Sequence, residues 1–553
     1  MNNPQKGSPT GILLVGASFF AMAAAYPEIF GTPLDAGDRF RIGTMQAMGG
    51  LSMMTGVMGY VKRILQREKR KDAEVVSGIY GTAAFADLDD CEDAGLLEPH
   101  GLYIGLKDGE PLFFGGKAHL YTEAPARQGK GIGFVIPNLL HYQGSVIVTD
   151  PKGELAAITA EHRRERLGQD VAVFNPWGLH GMPRHRINPL QSLIEMASDP
   201  SRIRGAPEEM RAKALQIYPE TEDTKNKFFP DGSRTMIYGG GLFLAVHHPE
   251  RCTLPELYRI IANPTRFRRV IAAMQRSDAL GGLLADLGDD LAARMRDAPE
   301  QFEDFRAGAV QQLAIFEPGG YLAEAVSGND VSLADLKSGN VTVYLAFPPE
   351  RIASHGRALG LIVNEAITAV STSPEKGQVL FLLDEFANLG KLSGLAESLT
   401  ALPGLGVRVW MVVQEHAELV RLYGPNTAKT ILSQAEVKQF FAVNSDERAL
   451  SLSRALGQKT VKTLNHNLGR FDDDEIGQSL SETGQPLMRA EDVTAMGTGQ
   501  QLLLVRGVKP ILGERMPFWL VSPWAEWAAQ NPLEGTDYPK EEPLLVLSYT
   551  KKE

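Results

Sequence analysis

The sequence predicts an α/β fold: a parallel sheet covered on both faces, interrupted by an all-helical segment and preceded by two candidate membrane spans. Three observations predict it. Apolar, β-branched runs of five to seven residues alternate with helical stretches on either side of the chain's middle, as strands buried on both faces do. A glycine- and lysine-bearing loop, residues 124–133, follows one short apolar run and opens a helix. From about residue 193 to 324 the β-branched runs vanish and helical periodicity takes over.

At 553 residues the chain exceeds what one hydrophobic core supports, so two to four domains are expected. Its 43% hydrophobic and 22% charged fractions are those of globular protein. A net charge of −11 argues against coating DNA by bulk electrostatics, while leaving room for a locally basic channel. Cys91 and Cys252 stand far apart, with neither metal-ligand nor disulfide spacing.

Two uncharged windows near the N-terminus, about 8–28 and 42–61, are each long enough to cross a hydrocarbon core of about 30 Å. Gly49, Gly50, Gly56 and Gly59 suit close helix packing in lipid. A soluble helical hairpin is the alternative, and the small residues Ala21, Ala23 and Ala25 leave a cleaved leader open for the first window. The basic segment 62–71 behind the second window places the body in the cytoplasm on any spanning reading.

The body begins near Tyr80 with short strand-and-turn stretches at 81–86 and 101–105. After the loop, residues 132–141 read as a helix kinked at Pro137, which has no N–H to donate. Buried strands follow at 145–150 and 170–175. In the helical segment Leu280, Leu283, Leu284, Leu287, Leu291 and Met295 recur on one face of an amphipathic helix. The α/β pattern resumes with a strand at 341–347 and a helix from about 351 to 371. Further strands are expected at 379–383, 407–413, 437–443 and 501–505. From Asn531 the chain is rich in Pro, Glu and Lys and reads as a flexible tail.

The loop Ala124-Pro125-Ala126-Arg127-Gln128-Gly129-Lys130-Gly131 has the setting of a phosphate cradle, in which backbone N–H groups and a helix start face phosphate oxygens and one lysine reaches the β/γ positions. Two anchors of the general pattern differ. Ala124 replaces the first glycine, and Gly131 replaces the hydroxyl residue that would bind Mg²⁺. The second half of the site lies at 379–386, an apolar strand ending in Asp384 and Glu385. Ligands of parallel sheets bind beyond the carboxyl ends of strands, so this pair emerges at the rim that carries the loop. One carboxylate suits Mg²⁺ and the next an attacking water. Gln414 closes the strand at 407–413 and could sense a γ-phosphate or orient water, or simply start a surface helix.

The runs APARQGKGIGFVIPNLLHYQGSVIVTDPKGEL, RINPL, YLAFPPERI, LFLLDEFANLGKL and VRVWMVVQEHAELVRLYG resemble, in this order, the TraG-like type IV secretion coupling proteins. The resemblance runs from about residue 80 to 521 and implies a RecA-like P-loop nucleotide-binding domain with an inserted all-α domain. On that basis the chain divides into an anchor (1–72), nucleotide-binding parts (73–192 and 326–530), an all-α domain (193–325) and a tail (531–553). The resemblance implies an inner-membrane, multi-pass ATPase that uses ATP and Mg²⁺ and assembles as a homo-hexamer. Its partners would be secretion-channel components and a relaxase–ssDNA complex or protein effectors. Lys130 carries over as the phosphate lysine, Asp384 as the Mg²⁺-linked acid and Glu385 as the catalytic glutamate, with Ala126, Arg127, Gln128, Gly129 and Gly131 around the phosphates. Arg408, Arg448 and Arg454 are candidates for the arginine that hexameric motors lend across a subunit boundary. A nucleotide-binding scaffold with little hydrolysis and an FtsK-like DNA pump are the competing functions.

Overall fold

The structure, a computed structural model, describes residues 77–220, 228–392, 394–467, 477–533 and 542–551, with residues 2–5, 538 and isolated positions before residue 55. The two expected membrane windows and the basic segment 62–71 therefore lie outside the described residues, save for those isolated positions. Among the described residues no helix is long and apolar enough to cross a membrane.

An eleven-stranded sheet organises the body. Its parallel part runs β10 (Ala435–Phe440), β4 (His119–Glu123), β9 (Val407–Val413), β8 (Val379–Leu383), β5 (Ser145–Asp150), β7 (Val341–Ala346), β6 (Asp170–Phe174). Beyond β10 the sheet continues antiparallel through β13 (Gln500–Val505), β14 (Ile511–Glu514), β2 (Leu102–Lys107) and β3 (Glu110–Phe114). Two small pairs lie outside it: β1 (Asn2–Gln5) with β17 (Ser548–Lys551), and β15 (Val521–Ser522) with β16 (Leu545–Val546). The ribbon of β11 (Gln458–Asn467) and β12 (Gly477–Pro486), which the sequence reading did not anticipate, is a third.

The central strands are mainly apolar because both faces are covered. Successive side chains of a strand point to opposite faces. Accordingly Leu380, Leu382, Trp410 and Val412 enter one hydrophobic cluster, and Phe381, Leu383, Val409 and Met411 the other. Trp410 is fully buried, stacks on Phe134 with ring centroids 5.2 Å apart, and donates Nε1–H to Thr122 Oγ1 at 2.8 Å. Phe134 lies in the helix that leaves the loop, so this contact fixes the loop helix to the sheet; burial of one large side chain is worth roughly 1.5–3 kcal/mol.

Between β6 and β7 the described residues form helices and no strand. The long helix Phe228–His247 packs on Ala206–Ile217, Leu254–Ala262 and Pro299–Leu313. Gly241 permits that closeness, since a Cβ there would stand 2.5 Å from Met210 Sδ. The amphipathic helix expected from Leu280 starts instead at Leu283, because Leu280 and Gly281 are left-handed (φ 55° and 66°) and form a turn. Lys213 and Glu365 join the helical segment to the helix Pro349–Thr372 beside the sheet.

The C-terminal stretch read as a tail is anchored where it is described. Asn531 is buried and donates to Glu154 Oε1 at 2.6 Å, and the Tyr538 ring stacks on Trp519.

Candidate nucleotide site

The loop 124–130 leaves β4 at the carboxyl rim of the sheet. Ala124 donates its N–H to Val413 O at 2.9 Å, and its methyl is wholly buried in the hydrophobic cluster under the loop. Its φ is not positive, so glycine is not required there, which accounts for the first departure from the general pattern. The sharp turning falls instead on Arg127 (φ 62°) and Gly129 (φ 74°). For Arg127 the left-handed conformation costs about 1–2 kcal/mol.

Lys130 opens the helix, but as a wide turn. Residues Gly131–Val135 are π-helical, followed by the α-helix Ile136–His141. Ile136 N–H reaches back to Gly131 O, and Pro137 follows immediately. An α-turn would bring the proline ring against the carbonyl four residues earlier; the wider turn takes up the expected kink without breaking the helix.

β8 delivers Asp384 and Glu385 to the same rim, one strand away from β4. Lys130 Nζ stands 2.8 Å from Asp384 Oδ1 and 3.5 Å from Glu385 Oε1. Burial works against the Lys130 ammonium, but the two carboxylates outweigh it and hold its pKa above the usual lysine value. Burial raises the Asp384 pKa, and Lys130 opposes that rise. Thr149 Oγ1, near the end of β5, donates to Asp384 O at 2.7 Å. Glu385 is left-handed (φ 52°), a strained conformation that persists because its side chain is held at both oxygens. Asn388 Nδ2 donates to Oε2 at 2.7 Å and Gln414 Nε2 to Oε1 at 3.4 Å.

The lysine, both acids and Gln414 thus form one constellation, with Gly129 and Gly131 beside it. Arg127, Gly129, Lys130, Gly131, Asp384 and Glu385 line a cleft of about 170 Å³. Ala126 and Gln128 belong to the same loop but do not line that cleft. Asp150 and Lys152 do line it. Asp150 is buried, accepts the Ala156 N–H at 2.8 Å, and burial pushes its pKa up to about 6.

The three candidate arginines separate. Arg408 is buried at the start of β9, bonded to Gly116 O and Gln378 Oε1. Six strand residues at about 3.3 Å each put it roughly 20 Å from Gln414. Arg454 is exposed in the last turn of the helix Asp446–Leu456. Arg448 pairs with Glu123, the residue before the loop, at 2.7 Å. Sequence reasoning missed Asn388, Thr149, Glu123 and Arg515. Only Asn388 had a local signal, three residues after the acidic pair on the turn that follows β8.

Residues 81–533 match the family described as type IV secretory system conjugative DNA transfer. The chain belongs to this family. Among its relatives, protein VirD4 of Agrobacterium fabrum is 27% identical over 461 residues, 78% of this chain and 64% of that protein. The chain thus spans somewhat less than two thirds of VirD4. Conjugal transfer protein TraG of Escherichia coli is 24% identical over 574 residues, covering 92% of this chain and 86% of TraG. In fold, this conjugative-transfer family member resembles the bacterial conjugative coupling protein TrwBΔN70, with TM-score 0.58 and 14% identity over 80% of this chain and 96% of that one. It also resembles TrwB determined with the ATP analogue ADPNP, with TM-score 0.55 and 15% identity over 79% and 93%.

Proposed function

We propose that this chain is the coupling ATPase of a type IV secretion system, recruiting a DNA–relaxase complex or protein effectors and driving them to the secretion channel. The carrying observation is that Lys130, Asp384, Glu385 and Gln414, drawn from three strand ends, meet at one rim. Lys130 would hold the β/γ-phosphates over the N–H groups of the loop and the first helical turn. Glu385, steered by Asn388 and Gln414, has the position of a base for the attacking water.

The site's donors fit Mg²⁺. Among the described residues no group of three His, Cys, Asp or Glu could hold a metal alone. Asp384, with Glu385 nearby, offers the one or two carboxylates through which Mg²⁺ is commonly held, its shell being completed by phosphates and water. When bound, Mg²⁺ supplies charge neutralisation on the phosphate oxygens. TrwB, one of the structural neighbours, has been determined with ADP and Mg²⁺.

We assign the windows at about 8–28 and 42–61 to a two-span inner-membrane anchor with the body in the cytoplasm, supported by their lack of charge and by the basic segment 62–71. We assign the active form to a homo-hexamer in which a neighbouring subunit lends an arginine, as the resemblance implies; of the three candidates Arg454 is exposed, whereas Arg408 and Arg448 are tied within the fold to Gly116 and Glu123.

Glu385→Gln tests the reading. ATP binding is expected to persist while turnover falls at least about 10²-fold, and DNA transfer by cells carrying the variant should cease. Transfer at the wild-type level would overturn it.

A further inference from the structure

Glu385 keeps its left-handed backbone (φ 52°) in front of a short turn, Phe386–Leu389, that carries Asn388. A strained residue holds such a conformation only where its surroundings over-determine it. Two helices converge on this turn. The helix His416–Tyr423, which follows Gln414, contributes Tyr423. Its ring stacks on Phe386 with centroids 6.2 Å apart, and its hydroxyl accepts the Leu392 N–H at 3.1 Å. The helix Pro349–Thr372 contributes two glycines. Gly356 and Gly360 are buried and four residues apart, and so share one face.

Glycine weakens a helix interior relative to alanine, and neither of these two has the positive φ that would require it. Packing requires it. A Cβ on Gly356 would stand 2.5 Å from Asn388 O, and one on Gly360 2.5 Å from Leu389 O, closer than a side chain tolerates against a backbone carbonyl. The helix backbone is therefore seated on the carbonyls of the turn that steers Glu385. Between the glycines, Arg357 faces both ways. Its Cγ is 3.7 Å from where a Cβ on Gly390 would stand, just past the turn. Its Nη1 donates to Gln312 Oε1 and, at 3.4 Å, to Ile217 O. Both acceptors belong to the helical segment. About two turns further along the helix, Glu365 pairs with Lys213 of the same segment at 2.6 Å.

We propose that Gly356, Gly360 and Arg357 are positioning residues for Glu385: the glycines seat the helix on the Asn388 turn, and Arg357 makes that seat, and with it the rate of hydrolysis, depend on the placement of the helical segment. The inference rests on the ATPase reading of the Lys130 site. The contacts themselves set the scale. A methyl 2.5 Å from a carbonyl oxygen forces helix and turn apart by roughly 0.9 Å before ordinary contact at 3.4 Å is restored, and a misplacement of about 1 Å at a reacting group costs on the order of 10²-fold in rate. The stacked Tyr423 and the bonded Asn388 leave the turn no independent way to absorb such a shift.

Steady-state ATPase kinetics and calorimetric titration with ADP and Mg²⁺, both on the full chain, provide the test. Gly356→Ala and Gly360→Ala are expected to lower kcat at least about tenfold, with KM and ADP affinity within about twofold of wild type. Gly356→Ala and Asn388→Ala reach the same glutamate, so their effects should not multiply: the double variant should lie within about threefold of the slower single one. Arg357→Met keeps the stem against Gly390 and introduces no clash, so it reads the tie to the helical segment even where a glycine variant fails to fold. It should lower kcat at least about threefold with KM unchanged. Unchanged kcat in Arg357→Met or in both folded glycine variants, ADP affinity falling in step with kcat, or losses that multiply in the double variant would overturn the proposal. A wild-type chain without ATP turnover would overturn the ATPase reading, and this one with it.

Discussion

Lys213 Nζ lies 2.6 Å from Glu365 Oε2, and each of the two side chains is only 1% exposed. Ser192 completes the contact, donating its N–H at 2.5 Å and its hydroxyl at 2.7 Å to the other carboxylate oxygen. This network joins two helices of the inserted segment to the helix Pro349–Thr372. Lys213→Met would strand a buried carboxylate, an error that costs about 3–5 kcal/mol. Thermal denaturation should show a fall in Tm of several degrees. The double variant Lys213→Met/Glu365→Leu should recover much of that loss, because it removes both charges together.

The Asp150 carboxyl titrates near 6 in the folded chain, raised chiefly by burial from the ordinary 3.8. Between those values the folded state keeps a proton that the unfolded state has lost, so stability falls as pH rises from about 4 to 6 and is level above. Asp150→Asn retains an acceptor for the Ala156 N–H and removes that ionisation. It should raise Tm at pH 8, by the equivalent of about 1–3 kcal/mol, and change it little at pH 4. A gain of equal size at both pH values would contradict this origin.

Gly131 has room for a side chain: a Cβ there meets nothing within 4 Å, and its φ is not positive. Gly131→Ser restores the hydroxyl that the general phosphate loop supplies. ATPase activity titrated with Mg²⁺ should reach half-maximum at a concentration several-fold lower, in line with about 1 kcal/mol for one added polar contact. An unshifted titration would mean that water already fills that place.

Asn388 holds one Glu385 oxygen at 2.7 Å and does not line the cleft at Lys130. Asn388→Ala should lower kcat about tenfold and leave KM within twofold, since it loosens a base without touching bound phosphate. A matching rise in KM would assign Asn388 to binding instead.

The readable part of the molecule was the part whose physics is local. β5, β7, β8 and β9 are covered on both faces, so their sequences are dominated by apolar, β-branched residues. Asp384 and Glu385 stood out because acids directly after such a run can only emerge at its end. Strand direction has no such signature: β13 is as apolar as its neighbours, yet antiparallel to β10. The ribbon of β11 and β12 was missed because its Thr, Lys and Ser alternation carries no apolar run to recognise. Leu280 misled for the opposite reason, an apolar residue in helical register that the fold uses in a left-handed turn. Arg515 is a lone arginine after a short strand, and only tertiary structure brings it to the loop.

The position of Lys130 between two acids has a thermodynamic consequence. A phosphate that takes this ammonium strands Asp384 and Glu385 as neighbouring uncompensated carboxylates, and a divalent cation relieves that strain. Anion and cation are then partners in a linked equilibrium, in which each raises the affinity for the other by the same factor. A nucleotide offered without a divalent ion would have to displace the lysine's internal partners and leave their charge unanswered.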